Sequence, residues 1–201
     1  MVHENRGLNP HIGDVARRVA LEGYIAFAPD ALFPLGGYPG DEDAARTLLA
    51  KLDQEKTRED FLAAARMLGT IEGGNGRLGV VGFCCGGGIA NFLARRLPDL
   101  AAATAAPFYG SAPPPEDVAQ IRAEMLVVLA ASDERVNAAW PAFEAALNAA
   151  QVDYALYQPT GTQHGFHNDT TPRFDEDAAR DAWRRTMSLF NRALRRRAAA
   201  G

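Results

Sequence analysis

Apolar residues follow two rhythms along this chain. Arg77–Phe83, centred on Leu78-Gly79-Val80-Val81, Ala101–Phe108 and Met125–Ala130 each carry a short apolar run. Runs of that length predict strands covered on both faces. Tyr24–Ala28 reads as another buried strand, closed by Pro29-Asp30. Asp153–Gln158 reads as a last one, with Val152, Tyr154 and Leu156 alternating. Between these runs the spacing turns helical. Asn9 suits an N-cap and Pro10 a first helical position. Val15, Val19 and Ala20 then share a face, and Gly23 stops the helix. The pattern predicts further helices over Asp41–Leu52, Thr57–Leu68, Ile89–Arg96 and Ala138–Ala150. It predicts a long amphipathic one over Glu176–Arg197, with Trp183, Met187, Phe190 and Leu194 on its apolar face. Residues 31–40, rich in Gly and Pro, predict a loop. Strands alternating with helices predict an α/β fold on a mostly parallel sheet with helices on both faces.

Composition narrows the function. A chain of 201 residues suits a single domain over 1–201. The net charge of −4 offers no basic footprint for nucleic acid. The one basic run, Arg195-Arg196-Arg197, reads as a solvated helix end. No apolar run reaches the length of a membrane span, and no signal-peptide pattern is present, so the expectation is a cytoplasmic protein. The two cysteines are adjacent, which excludes a disulfide framework, and no Cys/His spacing suits zinc.

The chemistry centres on Gly82-Phe83-Cys84-Cys85-Gly86-Gly87-Gly88, between the Arg77–Phe83 strand and a helical run. Strand, glycine-flanked turn and helix make the nucleophile elbow, usually written G-x-S-x-G. Here Cys84 stands at its centre, so the reading is a hydrolase with a thiol nucleophile. The plainer readings are a phosphate-binding turn or an inert packing cysteine. G-x-G-x-x-G does not fit around Cys84, and no Gly-Lys-Ser/Thr follows. None of the serines, Ser111, Ser132 and Ser188, occupies an elbow.

A thiol nucleophile needs a base and a group to orient it. His164 lies in Gly161-Thr162-Gln163-His164-Gly165-Phe166, directly after the last predicted strand. His167 is the alternative base; His11, in a helix first turn, reads as surface. Asp133 follows the Met125–Ala130 strand, where a carboxylate is well placed for a site in this architecture. It could equally be the N-cap of the next helix, and Glu134 is the runner-up acid. The order nucleophile, acid, histidine is that of α/β-hydrolases.

These stretches resemble the dienelactone hydrolase family of α/β-hydrolases. The resemblance is carried by residues 3–12 (HENRGLNPHI), 22–30 (EGYIAFAPD), 82–88 (GFCCGGG), 108–110 (FYG) and 161–174 (GTQHGFHNDTTPRF). It implies hydrolysis of a small ester or lactone, with Cys84 as nucleophile, Asp133 as acid and His164 as base. It implies that Glu4 contacts the resting thiol and takes part in its activation when substrate binds. The plain alternative for Glu4 is an exposed loop acid. The oxyanion hole is expected at the backbone N–H groups of Asn5 and Cys85. Arg173 is a candidate for binding substrate, with a surface role the alternative. Where family enzymes use arginine to hold a substrate carboxylate, the place after His164 holds Asn168, so a broader short-chain carboxylesterase is also open. The Cys85 side chain is expected to point into the fold. The mechanism needs no metal or organic cofactor, and the partners expected are a small ester or lactone and, in a possible homo-oligomer, further copies of the chain.

The family's third strand normally runs into the Glu4 loop between the Tyr24–Ala28 and Arg77–Phe83 strands. Here Met1-Val2-His3 is a stub of it, and the family's preceding strands are lacking. The expectation is a truncated form of a longer gene product, or a partner chain in the slot. Two competing functions are a non-catalytic α/β-hydrolase-like binding protein and a thiol-redox protein, the latter without C-x-x-C.

Overall fold

A computed structural model describes residues 1–97 and 103–195. In chain order the elements are α1 (Pro10–Leu21), α2 (Glu42–Leu49), α3 (Gln54–Gly69), β1 (Leu78–Phe83), α4 (Cys85–Arg96), β2 (Ala103–Phe108) and α5 (Pro115–Val118). There follow β3 (Glu124–Val128), α6 (Glu134–Asn137), α7 (Trp140–Ala149), β4 (Tyr154–Tyr157) and α8 (Glu176–Leu194). The strands form one parallel sheet in the order β1-β2-β3-β4. Among the described residues no helix is long and apolar enough to cross a membrane.

Strand alternation sorts the core. Val81 and Phe83 face α1 and α8, packing with Ile12, Val15, Val19, Ala182 and Phe190. Leu78 and Val80 face α3 and α4, packing with Phe61, Leu62, Ala90 and Leu93. Met125 and Val127 of β3 meet Phe143 and Leu147 of α7. Both faces of the sheet are thus covered, as a parallel sheet requires. Burying each of the larger of these side chains, from Val to Phe, contributes about 1.5–3 kcal/mol.

Several boundaries differ from the pattern reading. Helix α3 starts at Gln54 because Asp53 caps it, accepting from the N–H groups of Glu55 and Lys56. Helix α4 begins at Cys85, directly on the elbow. The short helices α5 and α6 were not anticipated. Ala20 is exposed, so the buried stripe of α1 is Ile12, Val15 and Val19. Leu156 is 38% exposed because β4 is an edge strand. Ala101, Ala102, Arg196 and Arg197, within the predicted strand, basic run and last helix, lie outside the described residues.

Tyr24–Ala28 is not a strand, and it is not buried: Ile25 is 48% exposed. A strand needs a ladder, and among the described residues this segment has one such bond, from the Met1 amino group to Phe27 O at 2.6 Å. The stub beside it does pair with β1. Val2 N donates to Val81 O at 2.8 Å, and Phe83 N donates to Val2 O at 3.2 Å. That pairing brings the next residues, His3, Glu4 and Asn5, to the C-terminal ends of the strands.

Candidate active site

The elbow is built by close backbone approach. A Cβ on Gly82 would lie 2.0 Å from Gly86 O, and one on Gly86 would lie 2.5 Å from both Val2 O and His3 O. Only glycine fits at either place. Between them Cys84 adopts φ 56° and ψ −118°, a strained conformation for a residue with a side chain. Its N–H donates to Phe108 O at 3.0 Å. The half-buried thiol stands over the N-terminus of α4, where the helix favours an anion.

The structure brings His164 and Asp133 to this thiol. The Cys84 thiol is held down to about 4 by the Cys85 thiol and, against burial, by the His164 imidazole. His164 is raised above its usual value, first by Cys84 and then, against burial, by Asp133. Its Nδ1 lies 2.5 Å from Asp133 Oδ2, leaving Nε2 for the sulfur. Asp133 also caps α6, with Oδ1 accepting from Val136 N at 3.4 Å. The carboxylate thus caps α6 and faces His164 at the same time. Thr162 ties the two loops together: its Oγ1 accepts from Ala131 N at 3.1 Å and its carbonyl accepts from Ser132 N at 2.9 Å. Sequence reading missed Thr162, which has no motif of its own.

Glu4 sits inside this cluster. Its Oε2 accepts from Asn168 Nδ2 at 3.0 Å and its Oε1 accepts from the Tyr109 hydroxyl at 3.4 Å. Burial raises its carboxyl above the ordinary range. Glu4 acts on the Cys84 thiol through charge. Among the described residues no hydrogen bond joins Glu4 to that thiol; its two oxygens are engaged by Asn168 and Tyr109.

His3 fixes the Glu4 loop from beneath. Its buried ring donates from Nδ1 to Glu4 O at 2.7 Å and accepts at Nε2 from Ala31 N at 3.0 Å. Burial lowers its pKa, so it is held neutral, as that pattern requires. The Cys85 N–H points to the Cys84 sulfur, and no described backbone bond uses the Asn5 N–H. Asn5 and Cys85 both line a cleft of about 590 Å³ floored by Phe61, Ile89 and Phe92.

Other expectations are corrected. The Cys85 side chain is exposed in that cleft rather than turned into the fold. The inward positions beside it belong to Gly86 and Gly87, where backbone from Val2, His3 and Phe108 leaves no room for a side chain. Its thiol donates to His3 O at 3.8 Å, and Cys84 pushes its pKa up, so of the two thiols Cys84 is the one that ionises first. His11 is buried, not on the surface, and pairs through Nδ1 with Asp169 Oδ1 at 2.9 Å. His167 is buried among Phe83, Phe108 and Trp183, and burial lowers it to about 3. It lies against the core rather than beside the thiol. Arg173 is exposed against the turn at Gly165 and makes no ion pair among the described residues.

Comparison with known proteins gives the family. The model of the dienelactone hydrolase family matches residues 1–194. The "Putative carboxymethylenebutenolidase" of Synechocystis sp. is 30% identical over 215 residues, covering 97% of this chain and 85% of that protein. The "Putative hydrolase fragment YghX" of Escherichia coli strain K12 is 64% identical over 53 residues, which are 26% of this chain and 45% of that protein. The crystal structure of the "Putative Dienelactone Hydrolase" of Klebsiella pneumoniae superposes with a TM-score of 0.82 at 26% identity, over 94% of this chain and 84% of that one.

Proposed function

The chain belongs to the dienelactone hydrolase family, has the α/β-hydrolase fold and is an ester or lactone hydrolase, and from that premise we propose that Cys84 is its nucleophile in a triad with His164 and Asp133. The observation that carries the reading is a thiol on a strained elbow at the start of α4, with His164 Nδ1 2.5 Å from the buried Asp133 carboxylate.

The Cys84 thiolate attacks the carbonyl carbon of a small ester or lactone. The negative charge that develops on the carbonyl oxygen is received by the N–H groups of Asn5 and Cys85, each worth about 3 kcal/mol in such a role. Collapse breaks the C–O bond, forms a thioester on Cys84 and delivers the His164 proton to the leaving alkoxide. Neutral His164 then takes a proton from water, which attacks the thioester and releases the acid. In a lactone the alkoxide stays tethered, so one product emerges. Asp133 holds the imidazole in register and stabilises its charged form.

Turnover of p-nitrophenyl acetate and of a dienelactone by wild type, Cys84→Ala and His164→Ala tests the reading. The expectation is a loss of about 10³-fold or more in either variant. Equal rates in all three would reject it and favour a non-catalytic binding role.

A further inference from the structure

We infer that Asn168 is a positioning residue that holds the Glu4 carboxylate off the Cys84 sulfur, leaving the thiol free to pair with His164 before any substrate arrives. The inference rests on the reading of Cys84 as nucleophile and deepens it. It makes the resting thiol ionised from the outset rather than released by substrate.

The geometry carries it. Glu4 is engaged at both oxygens, by Asn168 Nδ2 at 3.0 Å and by the Tyr109 hydroxyl at 3.4 Å. The Asn168 amide has only one workable orientation. Its Oδ1 accepts from Thr170 N at 3.0 Å and from Thr170 Oγ1 at 2.6 Å. Two donors on that side fix the oxygen there and present the NH2 group to Glu4. The backbone of Asn168 is also held: its N–H donates to Gly165 O at 3.0 Å, and its carbonyl accepts from Thr171 N at 3.2 Å. Asp169 fastens the same loop to α1 by accepting from His11 and from Arg18. Asn168 is 2% exposed, so water does not compete for its donors. His164 lies four residues earlier on this loop. One rigid segment therefore supplies the partner of the thiol and restrains the carboxylate that would oppose it.

The charged and titratable groups around the sulfur and Glu4 come from every surrounding element. They are Arg6 beside Glu4, His11 of α1, Cys85 of α4, Tyr109 after β2, Asp133 after β3, and His164 and Arg173 after β4. The Glu4 carboxylate itself is held by Asn168 and by the Tyr109 hydroxyl, and the Asn168 bond is the shorter. A released Glu4 could swing its negative charge onto the sulfur, which would oppose thiolate formation.

Iodoacetamide alkylation of the ligand-free protein, mapped to Cys84 across pH, tests this. Wild-type Cys84 should react with a midpoint well below that of a free thiol, about 8.5. In Asn168→Ala the midpoint should rise by about one pH unit or more. Adding Glu4→Gln to that variant should return it. Thr170→Val, which keeps both Asn168 and Glu4, should shift it the same way by less. Glu4→Gln alone, which does not depend on how Asn168→Ala folds, should lower the midpoint modestly, since it removes the charge that already acts on the sulfur. An unmoved midpoint in Asn168→Ala, a shift that survives Glu4→Gln, or a rise in Glu4→Gln alone would each overturn the inference. Ester turnover that needs Cys84 but accompanies a wild-type midpoint in the free-thiol range would overturn it alone. Turnover untouched by Cys84→Ala would sink the hydrolase mechanism instead.

Discussion

Cys84 and Cys85 are chemically alike and adjacent, yet they behave as opposites. Cys84 has an imidazole and a helix N-terminus, and its thiol is held down; Cys85, whose thiol donates to His3 O at 3.8 Å, is pushed up. The Cys85 thiol is the largest influence holding Cys84 down. Cys85→Ala should therefore raise the alkylation midpoint of Cys84 while leaving much of the ester turnover at pH 8, measured in the same preparation. Loss of all turnover would instead implicate Cys85 in the chemistry. The elbow was legible because its glycine spacing records a backbone contact made within a few residues. The side-chain direction of Cys85 was not, because it depends on Val2, His3 and Phe108 occupying the space beneath. The contacts of His3, Tyr109, Thr162 and Asn168 were equally hidden, although all four lie in the stretches that carry the resemblance, because each matters through a partner many residues away.

At the scale of elements, Cys84 stands between β1 and α4 and Asp133 at the start of α6, while Glu4 and His164 stand on loops. Asn9 shows how the helices hold the loops. Its Oδ1 accepts from Ile12 N at 3.0 Å, capping α1, and its Nδ2 donates to Glu42 Oε1 at 2.7 Å. Glu42 also pairs with Arg6, next to Asn5. Asn9→Ala should cost about 1 kcal/mol of stability in urea unfolding. It should also lower kcat more than it raises KM, because the loop carrying Asn5 loses its tether. Gly82→Ala should abolish folding, since its Cβ would lie 2.0 Å from a backbone oxygen. Soluble, active Gly82→Ala protein would contradict the elbow geometry. Helical periodicity and capping residues were legible, as local physics decides them. Tyr24–Ala28 was misread because its composition suits a strand, while a strand exists only where a neighbour completes the ladder.

Across the whole molecule, buried neutral histidines tie stability to pH. His167 is lowered from 6.5 to about 3 in the fold, and His3 is shifted the same way. Between those values the unfolded chain binds more protons than the folded one, so stability should rise with pH from about 3 to about 6.5. Equilibrium denaturation across that range should show the slope, and His167→Phe should flatten it by keeping the aromatic packing without the proton. A slope unchanged in His167→Phe would place the linkage elsewhere. The central claim is that the ester's acyl group passes through the Cys84 sulfur. Rapid acid quenching of the protein during p-nitrophenyl acetate turnover, followed by peptide mapping by mass spectrometry, tests it most directly. The account predicts an acetyl group on Cys84 that accumulates further in His164→Ala. Continued turnover with Cys84 never acetylated, or with the acetyl group on another residue, would contradict it.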